Sequence, residues 1–444
     1  VEKEIDLLRL KQKGANKTED CFIDLITTND LYHPKLADLV AIYIRPLKDV
    51  KGYIVPIDHD EGLNVELEIV QDIIKSYKKI YVLDKKRALY YLNLGKETHD
   101  LELKYAMLHY EALNVEVLDK TVSWFYNRYG SMRNINQLIP LVKLYSRSEE
   151  LYSRVQTLIE EEEPAGFQYY NEYGTKVFFM IEQNGLRIDT FNFEKYFKPM
   201  NIDFSVKDEM VYTRYNMYNN TSRPTNSFNS VNFLAIPKGQ EFRKCFKTEH
   251  GHSFVEFDFD GYHIRLVSEQ IGYKLDPEIK AHKQLAKLWT GSDDISEKEY
   301  GKLKGMNFQI IYGAIPDKYR GLEFTDKIQN YIDTLWKEYK KNGYVENPDS
   351  HKRFTIELPE MKATKLMNYM VQSLETSRNI KVLWQVLQFL HKHSYKSKIL
   401  LVTYDAFTVD WNEEDGLEVL TGIKEIMERG GYPVKVKRSK DLNF

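Results

Sequence analysis

Two apolar strands that each carry an acid, with a helix between them, constrain this chain more than any other feature. The first is Val255-Glu-Phe-Asp-Phe-Asp260, and the second is Leu400-Leu-Val-Thr-Tyr-Asp-Ala-Phe-Thr-Val409, with Asp405 in its middle. Between them, Lys304-Gly-Met-Asn-Phe-Gln-Ile-Ile-Tyr-Gly313 reads as a helix that ends at a glycine. Positions four apart on a helix drift by only about 40°, so Lys304, Phe308 and Tyr312 share one stripe. Alone, that pattern describes an amphipathic core helix with a snorkelling lysine. The acids ask for more. Asp258 and Asp260 alternate with Phe257 and Phe259 and are expected on one side of their strand. An acid buried in such a strand costs on the order of several kcal/mol unless it is paired or binds a metal. A salt bridge accounts for either acid taken singly, and less well for both in this order around this helix. Carboxylates that hold two cations, beside a cationic helix face, are what two-metal nucleotidyl transfer requires.

The three segments resemble motifs A, B and C of the family A DNA polymerases, the bacterial DNA polymerase I type. Asp258-Phe-Asp-Gly-Tyr-His-Ile-Arg265 keeps the Asp-to-Arg spacing of motif A, and Lys304 to Gly313 keeps the Lys, Phe and Tyr-Gly of motif B. Thr403-Tyr-Asp-Ala-Phe407 stands where motif C usually has His-Asp-Glu. Thr221-Ser-Arg-Pro-Thr-Asn226 with Asn232-Phe-Leu-Ala-Ile-Pro237 resembles the TGR…PNLQNIP segment, and Phe242-Arg-Lys-Cys-Phe246 the IRxxF after it. Asn368 and Gln372 match a polar pair that contacts primer–template, and Met180 to Asp189 resembles the segment that opens the polymerase domain. Order and spacing together carry the resemblance; each motif alone is weak. The details lean toward divergent phage polymerases.

The resemblance implies roles. Asp258 and Asp405 would bind two Mg2+ ions, with Mn2+ a possible substitute. Lys304 would be catalytic and pair with the triphosphate, Phe308 and Tyr312 would complete the nucleotide pocket, and His263 would pack under the sugar. His282 would contact the incoming phosphates; otherwise it is a solvated surface histidine. Arg223, Arg243, Asn368 and Gln372 would hold the primer–template. The chain also departs from the pattern. Tyr300 replaces an Arg one turn before Lys304, His263 replaces the motif A Glu, and Ala406 replaces the motif C Glu. The expected activity is template-directed addition of deoxynucleotides to a DNA primer, in phage genome replication and with a possible replication accessory protein. Two alternatives remain, a single-subunit phage-type RNA polymerase and a non-catalytic nucleic-acid-binding scaffold. Phe308 and the bulk of His263 speak against the first, and the retained pair Asp258 and Asp405 against the second.

The expected architecture is multidomain, α+β and α/β. Residues 1–160 read as strands followed by alternating helix and strand: Cys21–Thr28, Leu39–Ile44, Gly52–Ile57, a helix over Val65–Tyr77, and Lys79–Leu83. This resembles a 3′–5′ exonuclease-like domain, but a degenerate one. Asp24 keeps one acid, whereas Ile26 and Ala88 stand at acid positions, and an alkyl group cannot bind a hard cation. An acidic run from Glu160 meets Pro164 and Gly166 and is expected to mark the junction. Residues 167–444 are expected to form a right-hand palm and fingers. The thumb is expected to be short or missing around 190–220, because only Thr190 to Asn220 lies where two long helices belong.

At 444 residues, with 42% hydrophobic and 29% charged residues, the chain is long enough for two or three folded domains and is not disordered. Its net charge of −3 is no nucleic-acid footprint by itself. The basic tail Lys435-Val-Lys-Arg-Ser-Lys440 reads rather as a solvated edge strand. Cys21 and Cys245 are the only cysteines and give neither a disulfide framework nor zinc spacing. No apolar run of transmembrane length and no signal peptide are evident, so the cytoplasm, that of an infected host, is the expected location.

Overall fold

Long β-branched and aromatic runs build the first sheet. β1 (Cys21–Thr27) and β2 (Leu39–Pro46) are buried at every position, which is why both are apolar apart from Asp24 and Thr27 in β1 and Arg45 in β2. They pair antiparallel, and β3 (Tyr53–Pro56) pairs antiparallel with β2. β4 (Ile80–Val82) and β5 (Thr98–Asp100) add on the other side in parallel, giving the order β3-β2-β1-β4-β5. The face carrying Ile23, Leu25 and Ile42 is covered by α1 (Leu67–Lys75) through Val70, Ile73 and Ile74. The face carrying Phe22, Tyr43 and Tyr81 is covered by α2 (Leu141–Glu160) through Leu151, Tyr152 and Val155.

The computed structural model describes residues 10–12, 19–115, 120–197, 206–227, 230–237 and 241–444. The chain divides into two compact units. One comprises Val1–Gly185, Glu194–Tyr218 and Asn226–Asn232, the other Leu186–Phe193, Asn219–Thr225 and Phe233–Phe444. The first unit therefore runs past the expected junction at 160–166. Hydrogen bonds explain why. Lys104 Nζ donates to the carbonyls of Leu158 and Glu161 at 2.7 and 2.6 Å. Asn171 accepts from Asp100 N–H and donates to the Thr98 carbonyl, tying the segment after Gly166 to β5. Lys86 pairs with Glu182, both buried. In the stretch expected to hold a thumb, the described residues form one helix, Thr190–Phe197, and short strands from Val206 onward; 198–205 lie outside the described residues.

The second unit is centred on an antiparallel sheet of β6 (His252–Phe259), β7 (Lys398–Thr403), β8 (Ala406–Asn412) and β9 (Val434–Ser439), ordered β7-β8-β6-β9. β9 is an edge strand, as the tail's composition predicts. Its cations pair with neighbouring acids: Lys435 with Asp260, Lys437 with Glu256, and Arg438 with Glu413. Helices α3 (Tyr262–Gln270), α4 (Ala281–Thr290), α5 (Glu297–Ile311), α6 (Glu323–Asn342), α7 (Ala363–Lys392) and α8 (Glu418–Glu428) complete the unit. The long α7 is its spine and contacts α3, α6 and α8. Ser296 caps α5 by accepting from Glu299 N–H, with Glu297 and Glu299 in the positive first turn. Gly313 ends that helix at φ +91°, where a Cβ would lie 2.7 Å from Ile332 Cδ1.

Candidate active site

β6 and the β7–β8 hairpin bring the two expected metal acids together. Asp258 is in register with Ala406 across β6 and β8, and Thr403 pairs with Ala406 across the hairpin. Asp405 is therefore not in the middle of a strand. It is the second residue of a two-residue turn whose first residue, Tyr404, has φ +61°. The hairpin folds because β7 and β8 both bury nearly continuous apolar runs, and the tight turn then carries the carboxylate beyond the strand ends. Asp258, Asp405, Glu256 and Arg243 line one cavity of about 170 Å³. Burial, then the nearby charges of Glu375 and Asp258, push the Asp405 carboxyl up to about 6.

Asp260 does not join this pair. It lies just beyond β6, where its carboxylate accepts from Ala281 N–H at 2.7 Å and pairs with Lys435 and Arg265. Arg265, the Arg of the expected Asp-to-Arg spacing, thus pairs with Asp260, which the turn after β6 carries to the start of α4.

The motif B stripe forms as expected. Lys304 and Phe308 are exposed on α5, and Tyr312 is half-buried at its C-terminus. The Tyr312 hydroxyl lies 2.5 Å from His263 Nδ1. Burial, then the charge of Glu375, pushes the Tyr312 phenol up to about 12, so it keeps its proton. His282 is buried rather than solvated, with its ring 5.2 Å from that of Phe308. Burial, then Lys304, holds it down at about 4, so it is neutral at pH 7. Trp289 Nε1–H donates to Asn307 Oδ1 at 2.6 Å, and Asn307 Nδ2 lies 3.0 Å from His282 Nδ1. The amide donates there, which leaves the remaining proton of His282 on Nε2.

The expected primer–template residues are less uniform. Asn368 and Gln372 bond each other at 2.8 Å on α7 and are half-buried. Arg223 pairs with Glu375, Nη2 to Oε1 at 3.1 Å and Nε to Oε2 at 2.8 Å, and stacks on Tyr404 at 3.9 Å. Arg243 turns inward and donates to the carbonyls of Ile236, Pro237 and Leu442. It braces the cavity wall instead of presenting a free guanidinium. Three contributors escape a sequence reading: Asn307, Tyr404 and above all Glu375. The available signal for Glu375 is an acid in the otherwise uncharged run Met367–Thr376.

The site of the degenerate acids in the first unit is filled by cations and alkyl groups. Ile26 and Ala88 are fully buried. Ser148 donates to Asp24 at 2.6 Å, Arg147 lies 4.0 Å from it, and Asp30 pairs with Arg87 and Arg147. Asp84 caps the following helix and pairs with Arg214 at 2.6 Å.

No protein-family model matches the chain. Curated proteins do. DNA polymerase I of Caldicellulosiruptor bescii is 24% identical over 243 residues, 47% of this chain and 28% of the relative. The thermostable DNA polymerase I of Thermus thermophilus is 23% identical over 257 residues, 51% of this chain and 31% of the relative. Over about half its length the chain is thus similar to DNA polymerase I-type proteins. It spans less than a third of the length of these relatives. The fold agrees with the POL domain of Pol1 from M. smegmatis, solved in complex with DNA primer–template and dNTP. The TM-score is 0.69 at 13% identity, over 99% of this chain and 98% of that one. Among the described residues, no helix is long and apolar enough to cross a membrane.

Proposed function

We propose that this chain is a template-directed DNA polymerase that extends a primer 3′ end with deoxynucleoside triphosphates by two-metal nucleotidyl transfer. The observation that carries the reading is the pairing of Asp258 with Asp405 at one cavity, on a chain related to DNA polymerase I. The donor set fits Mg2+. It offers two carboxylates as hard oxygen ligands, and a bound cation would offset the burial and the nearby charges that raise the Asp405 carboxyl. Among the described residues no group of three or more His, Cys, Asp or Glu side chains is placed to hold an ion. That suits a site completed by substrate phosphates and water. A bound divalent pair would lower the pKa of the primer hydroxyl and neutralise the triphosphate.

The chain's own residues do the positioning. Lys304 offers a point charge to the phosphates from the exposed face of α5. His282, neutral and protonated on Nε2, is a hydrogen-bond donor beside it. Phe308 and Tyr312 flank the base and sugar. The amides of Asn368 and Gln372 face the primer–template minor groove, and Arg223 and Arg243 hold the walls behind them. Residues 1–160 are read as an exonuclease-like domain without nuclease activity, since Arg147, Ile26 and Ala88 occupy the surroundings of Asp24. The thumb is read as reduced, and the phage-like replicative role rests on the departures at His263, Tyr300 and Ala406.

The DNA polymerase relatives disfavour the RNA polymerase alternative, and a scaffold has no use for two half-buried acids at one cavity. Primer extension by the purified chain in Mg2+, with deoxy- or ribonucleotides, tests all three. Extension with deoxynucleotides that is lost in Asp258→Ala is expected. Extension with ribonucleotides alone, or none at all, overturns the reading.

A further inference from the structure

The His263 ring is held from two sides. Its Nδ1 lies 2.5 Å from the Tyr312 hydroxyl, and its Nε2 lies 3.0 Å from Glu375 Oε2. Glu375 is 1% exposed and projects from the middle of α7. Its other contacts run to Arg223, which stacks on Tyr404, the residue before Asp405. Glu375 is thus the anionic centre between the side chain under the sugar and the turn that carries a metal acid.

We infer that Glu375 is a positioning residue for sugar selection, which fixes the orientation of His263 against Tyr312. This rests on the polymerase reading above. Burial alone would favour a protonated Glu375, but His263 and Arg223 together hold its carboxyl below the usual range. An ionised carboxylate only accepts hydrogen bonds. Glu375 Oε2 therefore holds one side of the ring, at Nε2, and the Tyr312 hydroxyl the other, at Nδ1. One carboxylate so dictates which way the ring faces and keeps the α5 phenol latched to α3. A ring free to turn would no longer present one fixed edge to a 2′-hydroxyl. The bulk of His263 alone excludes that group less well than a bulky ring held in place.

A purely structural Glu375 would balance Arg223 and nothing more, so that its loss would lower stability without altering sugar choice. The decisive measurement is the ratio of kcat/KM for single deoxynucleotide and ribonucleotide incorporation by the full chain. Glu375→Ala is expected to cut the preference for deoxynucleotide by about tenfold or more, and Glu375→Gln, which keeps one acceptor oxygen, by less. In a His263→Ala background, Glu375→Ala is expected to move the ratio by less than about twofold, since the two act as a unit. An unchanged ratio in Glu375→Ala, or an additive double variant, overturns the inference. A readout independent of activity covers variants that extend poorly. In 15N imidazole spectra, the ring resonances of His263, assigned by their loss in His263→Ala, are expected to shift in folded Glu375→Gln. Identical spectra also overturn it. A native chain that extends nothing sinks the polymerase reading, and the imidazole spectra still decide whether Glu375 sets the ring.

Discussion

Asp258 and Asp405 approach each other because a strand end meets a hairpin turn. Asp258 is in register with Ala406, and Phe259 N–H, one residue on, points at the Asp405 carbonyl at 3.4 Å. Neither acid contributes apolar packing, and Asp258 adds to the cost of ionising Asp405.

That cost gives a stability prediction with a definite sign. The Asp405 carboxyl sits at about 6 in the fold against an ordinary 3.8. Between those values the folded chain binds more protons than the unfolded one, so stability falls as pH rises through the window, and the penalty is complete at pH 7. Asp405→Asn should therefore stabilise the metal-free protein at pH 7.5, by on the order of 1–3 kcal/mol. The gain should vanish below about pH 4, while primer extension falls at least about a thousandfold. Thermal unfolding in chelator across pH, beside a primer-extension assay, checks both.

Proofreading should be absent. The purified chain is expected to leave a mispaired primer end intact in Mg2+ or Mn2+, because Asp24 is engaged by Ser148 and Arg147. Digestion from the 3′ end that disappears in Asp24→Ala would show that a nuclease site survives.

His263→Ala should raise ribonucleotide incorporation relative to deoxynucleotide by about tenfold or more, chiefly through kcat/KM for the ribonucleotide, since the exclusion is steric. Single-turnover incorporation of both nucleotides measures it. Unchanged discrimination in an active variant would remove His263 from the sugar pocket.

Phe308→Tyr should ease incorporation of nucleotides that lack the 3′-hydroxyl, as the resemblance to family A polymerases implies for position 308, which is exposed on α5. Competition between dideoxy- and deoxynucleotide in a termination assay gives the ratio directly. No change would place Phe308 away from the sugar.

Lys352 offers a test away from the chemistry. It is buried, its Nζ donates to Ser222 Oγ at 2.6 Å, and burial holds it down at about 7 against 10.5. Ser222 stands where the TGR pattern has glycine and takes φ +56°. With a lowered folded value, the unfolded chain binds the extra proton between pH 7 and 10.5, so this residue makes stability rise with pH across that window. In Lys352→Met that rise should shrink by about 2–4 kcal/mol. Denaturant unfolding of both proteins at several pH values tests the difference.

Much was legible in the chain before any fold. Largely apolar runs gave β1, β2 and β6, because strands covered on both faces must be mostly apolar, and acids such as Asp24, Glu256 and Asp258 stand out within them. Fourfold spacing gave the stripe of Lys304, Phe308 and Tyr312, because a helix repeats nearly every four residues whatever surrounds it. Local chemistry also marked Asp258 and Asp405 as acids in need of a partner. What the sequence could not supply was partnership across distance. A two-residue turn, and not a strand interior, presents Asp405. Asp260 went to Lys435 and Arg265, Arg243 to backbone carbonyls, and the helix after Gly166 to β5, since each polar group pairs with whatever packing brings within about 3 Å. Glu375 is the plainest case. Its place in a helix follows from its neighbours in the chain, but its hold on His263 and Arg223 exists only because α7 packs against α3, and no local pattern encodes that contact.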